Sequence, residues 1–223
     1  NTNLFYAADD DPSKPVDAWL IKLIPALAFQ SPRHSVLIVN ANGAFEFRKY
    51  FHERETVTKQ SMFGGVAGLD ATFFPRGVVS VTLHEDFRRV LERRNFETTE
   101  SWDRNFNKAG ADINIRPGGK AMSFRLGYNF ITDYFLDTSG DWGDLHRHEI
   151  HGRYSWKFFP FTALIFEAGW EMNDYLDAGQ GHYGELTDSM PLRTRVGING
   201  FITKSLAIMV MAGYGNSFHE TRA

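Results

Sequence analysis

Met122-Ser123-Phe124-Arg125-Leu126-Gly127-Tyr128-Asn129-Phe130 alternates apolar and polar side chains over its whole length. Successive side chains of an extended chain point to opposite faces. Met122, Phe124, Leu126, Tyr128 and Phe130 therefore fall on one side, and Ser123, Arg125, Gly127 and Asn129 on the other. A helix would scatter the same residues around its circumference, so the period of two decides for a strand. Leu164–Asp174 repeats the pattern. Leu164, Phe166, Ala168, Trp170 and Met172 stand against Ile165, Glu167, Gly169, Glu171 and Asn173.

The same alternation recurs on both sides of these segments, with more noise. Trp19–Phe29, Leu37–Phe47, Phe63–Phe73, Val79–Phe87, Ala109–Ile115, Ile150–Phe158, Leu192–Ile202 and Leu206–Tyr214 each keep apolar residues on one parity. About ten or eleven long strands result, the last if Asn1–Ala7 is the tail of another. Connections alternate in length. Short turns are expected at Ser31–Arg33, Phe74–Gly77, Arg116–Gly119, Phe159–Thr162 and Thr203–Ser205, where Pro, Gly or Ser supplies the turn chemistry. Longer polar loops are expected near His52–Gln60, Arg94–Trp102, Asp137–Leu145 and Asp177–Ser189. Short turns at one end of a sheet and long loops at the other are the pattern of transmembrane β-barrels. Each strand runs about 13 to 17 residues between connections, against a usual 5 or 6. A tilted membrane strand needs about 9 to 11 in its apolar band.

Composition agrees. The chain has 223 residues, 43% hydrophobic and 15% aromatic, with 20 Phe, 20 Gly and no Cys. That much aromatic surface excludes disorder, and the lack of cysteine excludes a disulfide scaffold or thiolate metal site. A net charge of -3 argues against nucleic acid as a partner. No apolar run is long enough for a membrane-spanning helix. Aromatics gather beside the short turns (Phe29, Phe73, Phe74, Phe158, Phe159, Phe161, Phe201). A second group lies toward the long loops: Phe45, Phe47, Tyr50, Phe51, Phe87, Tyr134, Phe135, Trp170, Tyr175 and Phe218. Two interfacial girdles are the expectation. A water-soluble meander would need a second layer over the apolar face, and no helical segment supplies one.

The reading is an all-β chain, 1–223 as one domain: an antiparallel up-and-down transmembrane β-barrel. The chain starts without Met and ends as if entering another loop, so it is expected to be part of a larger even-stranded barrel. The polar parity holds the expected lumen-lining residues: Glu46, Arg48, Asp86, Arg88, Lys108, Asp112, Arg125, Arg153, Glu167, Glu171, Arg193 and Arg195. Lys22, Asp70, His84, Arg116, Arg147, Glu149, His151 and Lys157 share that parity, as do several Asn. Charges on a strand face need water or partners. Both signs are interspersed, which suits a weakly charged, hydroxyl-rich cargo, or cross-strand ion pairs that rigidify the wall.

Catalytic and metal motifs are not found. His146, His148 and His151 sit close in sequence, but on a strand the first two share a face and the third points away. Glu167 and Glu171 lie about 13 Å apart by strand rise, long for a glycosidase pair. Phe73–Phe74 and Phe158–Phe159 are the places where a bulge would shift parity.

Asn1-Thr2-Asn3-Leu4-Phe5-Tyr6, Ala18-Trp19-Leu20-Ile21-Lys22-Leu23-Ile24-Pro25-Ala26-Leu27 and Gly43-Ala44-Phe45-Glu46-Phe47-Arg48-Lys49-Tyr50-Phe51 together resemble the N-terminal strands of the outer-membrane β-barrel porin 2 family. The likeness covers about the first 50 residues. It implies a bacterial outer-membrane barrel, seated in the lipid bilayer, that passes a secreted polysaccharide and works with periplasmic export proteins. It carries over no catalytic residue and no cofactor. The expectation is a non-enzymatic hydrophilic conduit for polysaccharide export. The alternatives are a general diffusion porin, and a plugged structural barrel anchoring an envelope complex.

Overall fold

The computed structural model describes residues 18–32, 36–53, 58, 61–90, 103–117, 121–136, 143–176, 187–201 and 206–219. About 82% of them are strand. In chain order the strands are β1 (Trp19–Leu23), β2 (Ala26–Gln30), β3 (Leu37–Phe51), β4 (Met62–Phe73), β5 (Val79–Val90) and β6 (Arg104–Ile115). They continue with β7 (Met122–Phe135), β8 (Leu145–Phe159), β9 (Thr162–Tyr175), β10 (Ser189–Phe201) and β11 (Ala207–His219). All belong to one antiparallel sheet in which each strand lies beside the next, except that β1 and β2 both pair with β3. The sheet is up-and-down and open: among the described residues its first and last strands do not meet.

β1 and β2 are two halves of one ribbon. Trp19 opposes Phe51 and Gln30 opposes Asn40 in a single unbroken register. Pro25 accounts for the interruption. Its carbonyl accepts from Phe45 N at 3.0 Å, but it has no amide to return the bond. Pro191 acts alike in β10: the β9–β10 ladder skips from Ser189 to Leu192 around it. Counted as ribbons, the sheet has ten, as the alternation predicts. β6 begins at Arg104, five residues before the apolar alternation starts. Of the two expected bulge positions, Phe158–Phe159 carries a register shift. Phe73 stays in register, and Phe74 instead opens the following turn with a φ of 51°. The strand tail expected at Asn1–Ala7 and the connections expected at Arg94–Trp102 and Thr203–Ser205 lie outside the described residues, as does most of His52–Gln60, Asp137–Leu145 and Asp177–Ser189.

The registers carry one face through the whole sheet. Odd positions of β1 to β6 and even positions of β7 to β11 form the apolar side. That side is the exposed one. Trp19, Leu27, Phe63, Leu83, Leu126, Phe166, Val196 and Val210 all stand open. Buried strand residues, among them Tyr50, Ser80, Asn129, Ile131, Ile165, Asn173 and Ser189, lie on the opposite, charged side. A single layer shelters only the face toward which it curls, so the charged face is the concave one. Burial is thus inverted relative to a water-soluble domain, whose apolar groups lie inside.

The aromatic positions need correction in both groups. Phe201, of the group beside the short turns, has charged-face parity on β10. In the group toward the long loops, Tyr50, Phe135 and Tyr175 fall on the charged face by register, and Tyr50 is 1% exposed. Their odd-or-even place in the strand, which distance from a loop ignores, decides this. The rest of that group keeps apolar parity. Charges on the apolar face sit near the long-loop ends at Lys49, Arg89 and Asp174. Glu85 lies deeper and accepts a hydrogen bond from Asn107 Nδ2 at 3.2 Å.

Candidate functional site

All twelve charged residues expected from sequence to share a face do so: Glu46, Arg48, Asp86, Arg88, Lys108, Asp112, Arg125, Arg153, Glu167, Glu171, Arg193 and Arg195. Lys22, Asp70, Arg116, Arg147, Glu149 and Lys157, of the same expected parity, lie there too, and Arg104 and Asp133 join them. Lysines and arginines outnumber carboxylates there, in a chain whose net charge is -3. Arg104 and Asp133, paired at 3.0 Å, were not expected from sequence. They lie in strand ends beyond the clean alternation, where only extrapolated parity could have found them.

Three groups of partners cover this face. At the first edge Lys22 Nζ reaches Glu46 at 3.0 Å, and Arg48 pairs with the same carboxylate. Arg88 grips Asp86 through Nε and Nη2 at 2.7 and 2.6 Å. Beside them lies a groove of about 310 Å³, floored by Gly64 and Gly65 and flanked by Glu46, Arg48 and Arg88. A second groove, about 500 Å³, opens around Pro25 against Leu23, Phe45, Phe47 and Phe63.

The middle group spans β5 to β8. His84 Nε2 lies 2.6 Å from Asn129 Oδ1, and Asn129 Nδ2 donates to Glu149 Oε2 at 2.9 Å. Lys108 Nζ reaches the same oxygen at 3.5 Å. Asp112 stands between His151 Nε2, at 3.0 Å, and His84 Nδ1, at 3.7 Å. Glycines make room for this packing. A Cβ on Gly127 would collide with Asp112 and His151, and one on Gly110 with Asn129 and His84. Such a network, knitted across four strands, fixes register as well as satisfying buried polar groups.

The third group spans β7 to β10. Arg125, Arg153, Glu167 and Arg195 form one cross-strand row. Arg153 Nη1 meets Glu167 at 3.0 Å and Arg195 Nε meets it at 3.6 Å. Glu171 is likewise shared, by Arg147 at 3.9 Å and Arg193 at 3.8 Å. Arg125 is exposed and has no ion pair among the described residues. Gly169, between the two glutamates, would place a Cβ in open space.

The histidine cluster divides as expected. Tyr128 Oη lies 2.7 Å from His148 Nδ1, Tyr134 Oη bonds His146, and Phe130 packs against both rings, all on the apolar face. His151 is on the charged one. No group of three or more potential metal ligands occurs among the described residues, and none of their helices is long and apolar enough to cross a membrane, which says nothing of a β-barrel. No family model, curated protein or solved structure matches this chain, so its likeness to the porin 2 family rests on the residues quoted for it.

Proposed function

We propose that this chain forms a bacterial outer-membrane β-barrel whose concave charged face lines a hydrophilic conduit for export of a secreted polysaccharide. The inverted burial supports this most. A curved sheet with an exposed apolar side and a sheltered, ion-paired side fits a lipid-facing exterior and a wet interior. Open edges cannot persist in lipid, because their amides would go unpaired. The working state is therefore a closed barrel, and the two edges of this sheet are fit for closure.

Side-chain parity bears on that closure. In an antiparallel pair the residues that exchange hydrogen bonds lie on one face, and the bonding face alternates from one neighbour to the next. Ser31 N to Val39 O uses the apolar-face residues of the first pair, and Phe74 N to Val36 O the charged-face residues of the second. Lys157 N to Ala121 O and Phe201 N to Phe161 O continue the alternation. Through ten ribbons it leaves charged-face amides pointing outward at both edges. Closure edge to edge, or through an even number of added strands, keeps one face inside. An odd number does not.

Transport here would be passive and non-enzymatic. A wall of paired charges and amides exchanges hydrogen bonds with a sliding sugar polymer without holding it. Periplasmic export proteins would deliver the polymer. A second reading, a plugged structural barrel, draws on the many ion pairs of the interior. Single-channel conductance of the full-length protein in a planar bilayer separates the readings. The conduit predicts a large conductance that oligosaccharides block transiently. Steady conductance indifferent to sugars indicates a general diffusion porin, and a folded barrel that does not conduct indicates the structural role.

A further inference from the structure

We infer that the arginine row on β7, β8 and β10 is a binding site for carboxylate groups of an acidic saccharide, so that the cargo is a polyanion rather than a neutral polymer. The inference rests on the conduit reading and names its substrate class.

Arg125 stands directly opposite Arg153. The hydrogen bond from Lys157 N to Ala121 O, of the same parity, makes this a hydrogen-bonded pair, with Cα atoms about 5.5 Å apart. Like charges directly opposite are destabilising, and no carboxylate of the described residues is paired with Arg125. Next in the row comes Glu167, then Arg195. That one carboxylate is shared by two guanidinium groups, each of which offers five donors. Arg153 and Arg195 remain 50% and 62% exposed at the side chain, and Glu167 is 24% exposed. The excess positive charge therefore faces the open space on the concave side, while the acid lies beneath.

Space for a ligand lies alongside. One step along β9, Gly169 leaves open volume, bounded by Arg193 on β10, which is 68% exposed. The site is a shallow trough in which Arg125 and Arg153 stand one strand apart, at about 4.8 Å, and Arg195, with Arg193 beside it on β10, stands two strands beyond Arg153, at about 9.6 Å. Guanidinium forks match carboxylates in two-point geometry, and a row of them presents repeated contacts to a chain with repeated carboxylates. Each contact is exposed to water and weak, which lets the polymer move on.

The test uses full-length protein folded in lipid vesicles, titrated calorimetrically with oligogalacturonate and with maltooligosaccharide of equal length. The acidic oligomer is expected to bind more tightly, and less so as salt rises. Arg125→Gln should weaken it about fivefold and Arg125→Gln with Arg195→Gln about twentyfold or more, from about 1 kcal/mol per exposed contact. Arg125→Lys should recover part of the loss. Arg76→Gln, in the β4–β5 turn, should leave binding unchanged. Equal binding of the neutral oligomer, or indifference to the arginine substitutions, overturns the proposal. So does cation selectivity of the conducting channel. A barrel that binds the acidic oligomer through these arginines but does not conduct refutes the conduit and leaves the site standing.

Discussion

Gly127 and Gly169 lie in one cross-strand row on the same face, two strands apart, and a methyl group added to each should have opposite consequences. At Gly127 it meets Asp112 and His151. Gly127→Ala should cost about 1–3 kcal/mol, because well-packed neighbours must shift. At Gly169 nothing stands within 4 Å, and Gly169→Ala should change stability by no more than about 0.5 kcal/mol. Urea unfolding of the lipid-folded protein reads both, and equal effects would count against the packed network. Parity in the sequence was enough to place Asp112, Glu167 or Arg195 on a face. It could not show that His84 meets Asn129, since that contact needs the registers of two consecutive strand pairs, β5–β6 and β6–β7. The sharing of Glu167 by two arginines was hidden for the same reason. Sequence distance is no guide to neighbours across a sheet, and register depends on turn lengths and packing together.

At the level of strands, Val196 lies on the exposed side of β10, near its middle. If that side meets lipid, Val196→Arg should destabilise the folded protein by about 2–4 kcal/mol. Arg195→Val, one residue away on the other face, should not carry that lipid penalty. The same unfolding experiment in vesicles compares them. Pro25 offers a second test. Pro25→Val restores a donor opposite the Phe45 carbonyl, so amide exchange around positions 24–26 should slow and β1 and β2 should behave as one strand. Long strands were legible because Met122–Phe130 and Leu164–Asp174 alternate so cleanly. The beginning of β6 was not, since Asn105 and Asn107 occupy apolar parity there. Pro25 was visible in the sequence, but which neighbour loses a hydrogen bond to it depends on the side its nitrogen faces.

For the molecule as a whole, the alternation of bonding faces makes a prediction about deletions. Removing β8 and β9 together, residues 145–175, lets β10 meet β7 through charged-face residues on both sides. Removing β8 alone, residues 145–159, brings together strands of wrong direction and wrong bonding face. The first variant should still fold into lipid and show heat-modifiable migration in gel electrophoresis; the second should not. Open edges were beyond what alternation could reveal, because a strand reads the same in sequence whether or not it has a neighbour. Ten ribbons were legible, since Trp19–Phe29 already read as one strand, but Asn1–Ala7 left an eleventh open and with it the parity of the count. If the sheet closes as proposed, growth or shrinkage of such a chain over generations can proceed only in whole hairpins. A lineage that gained a single strand would have to exchange the oily and charged surfaces of every later strand, rewriting its residues at all positions of both parities.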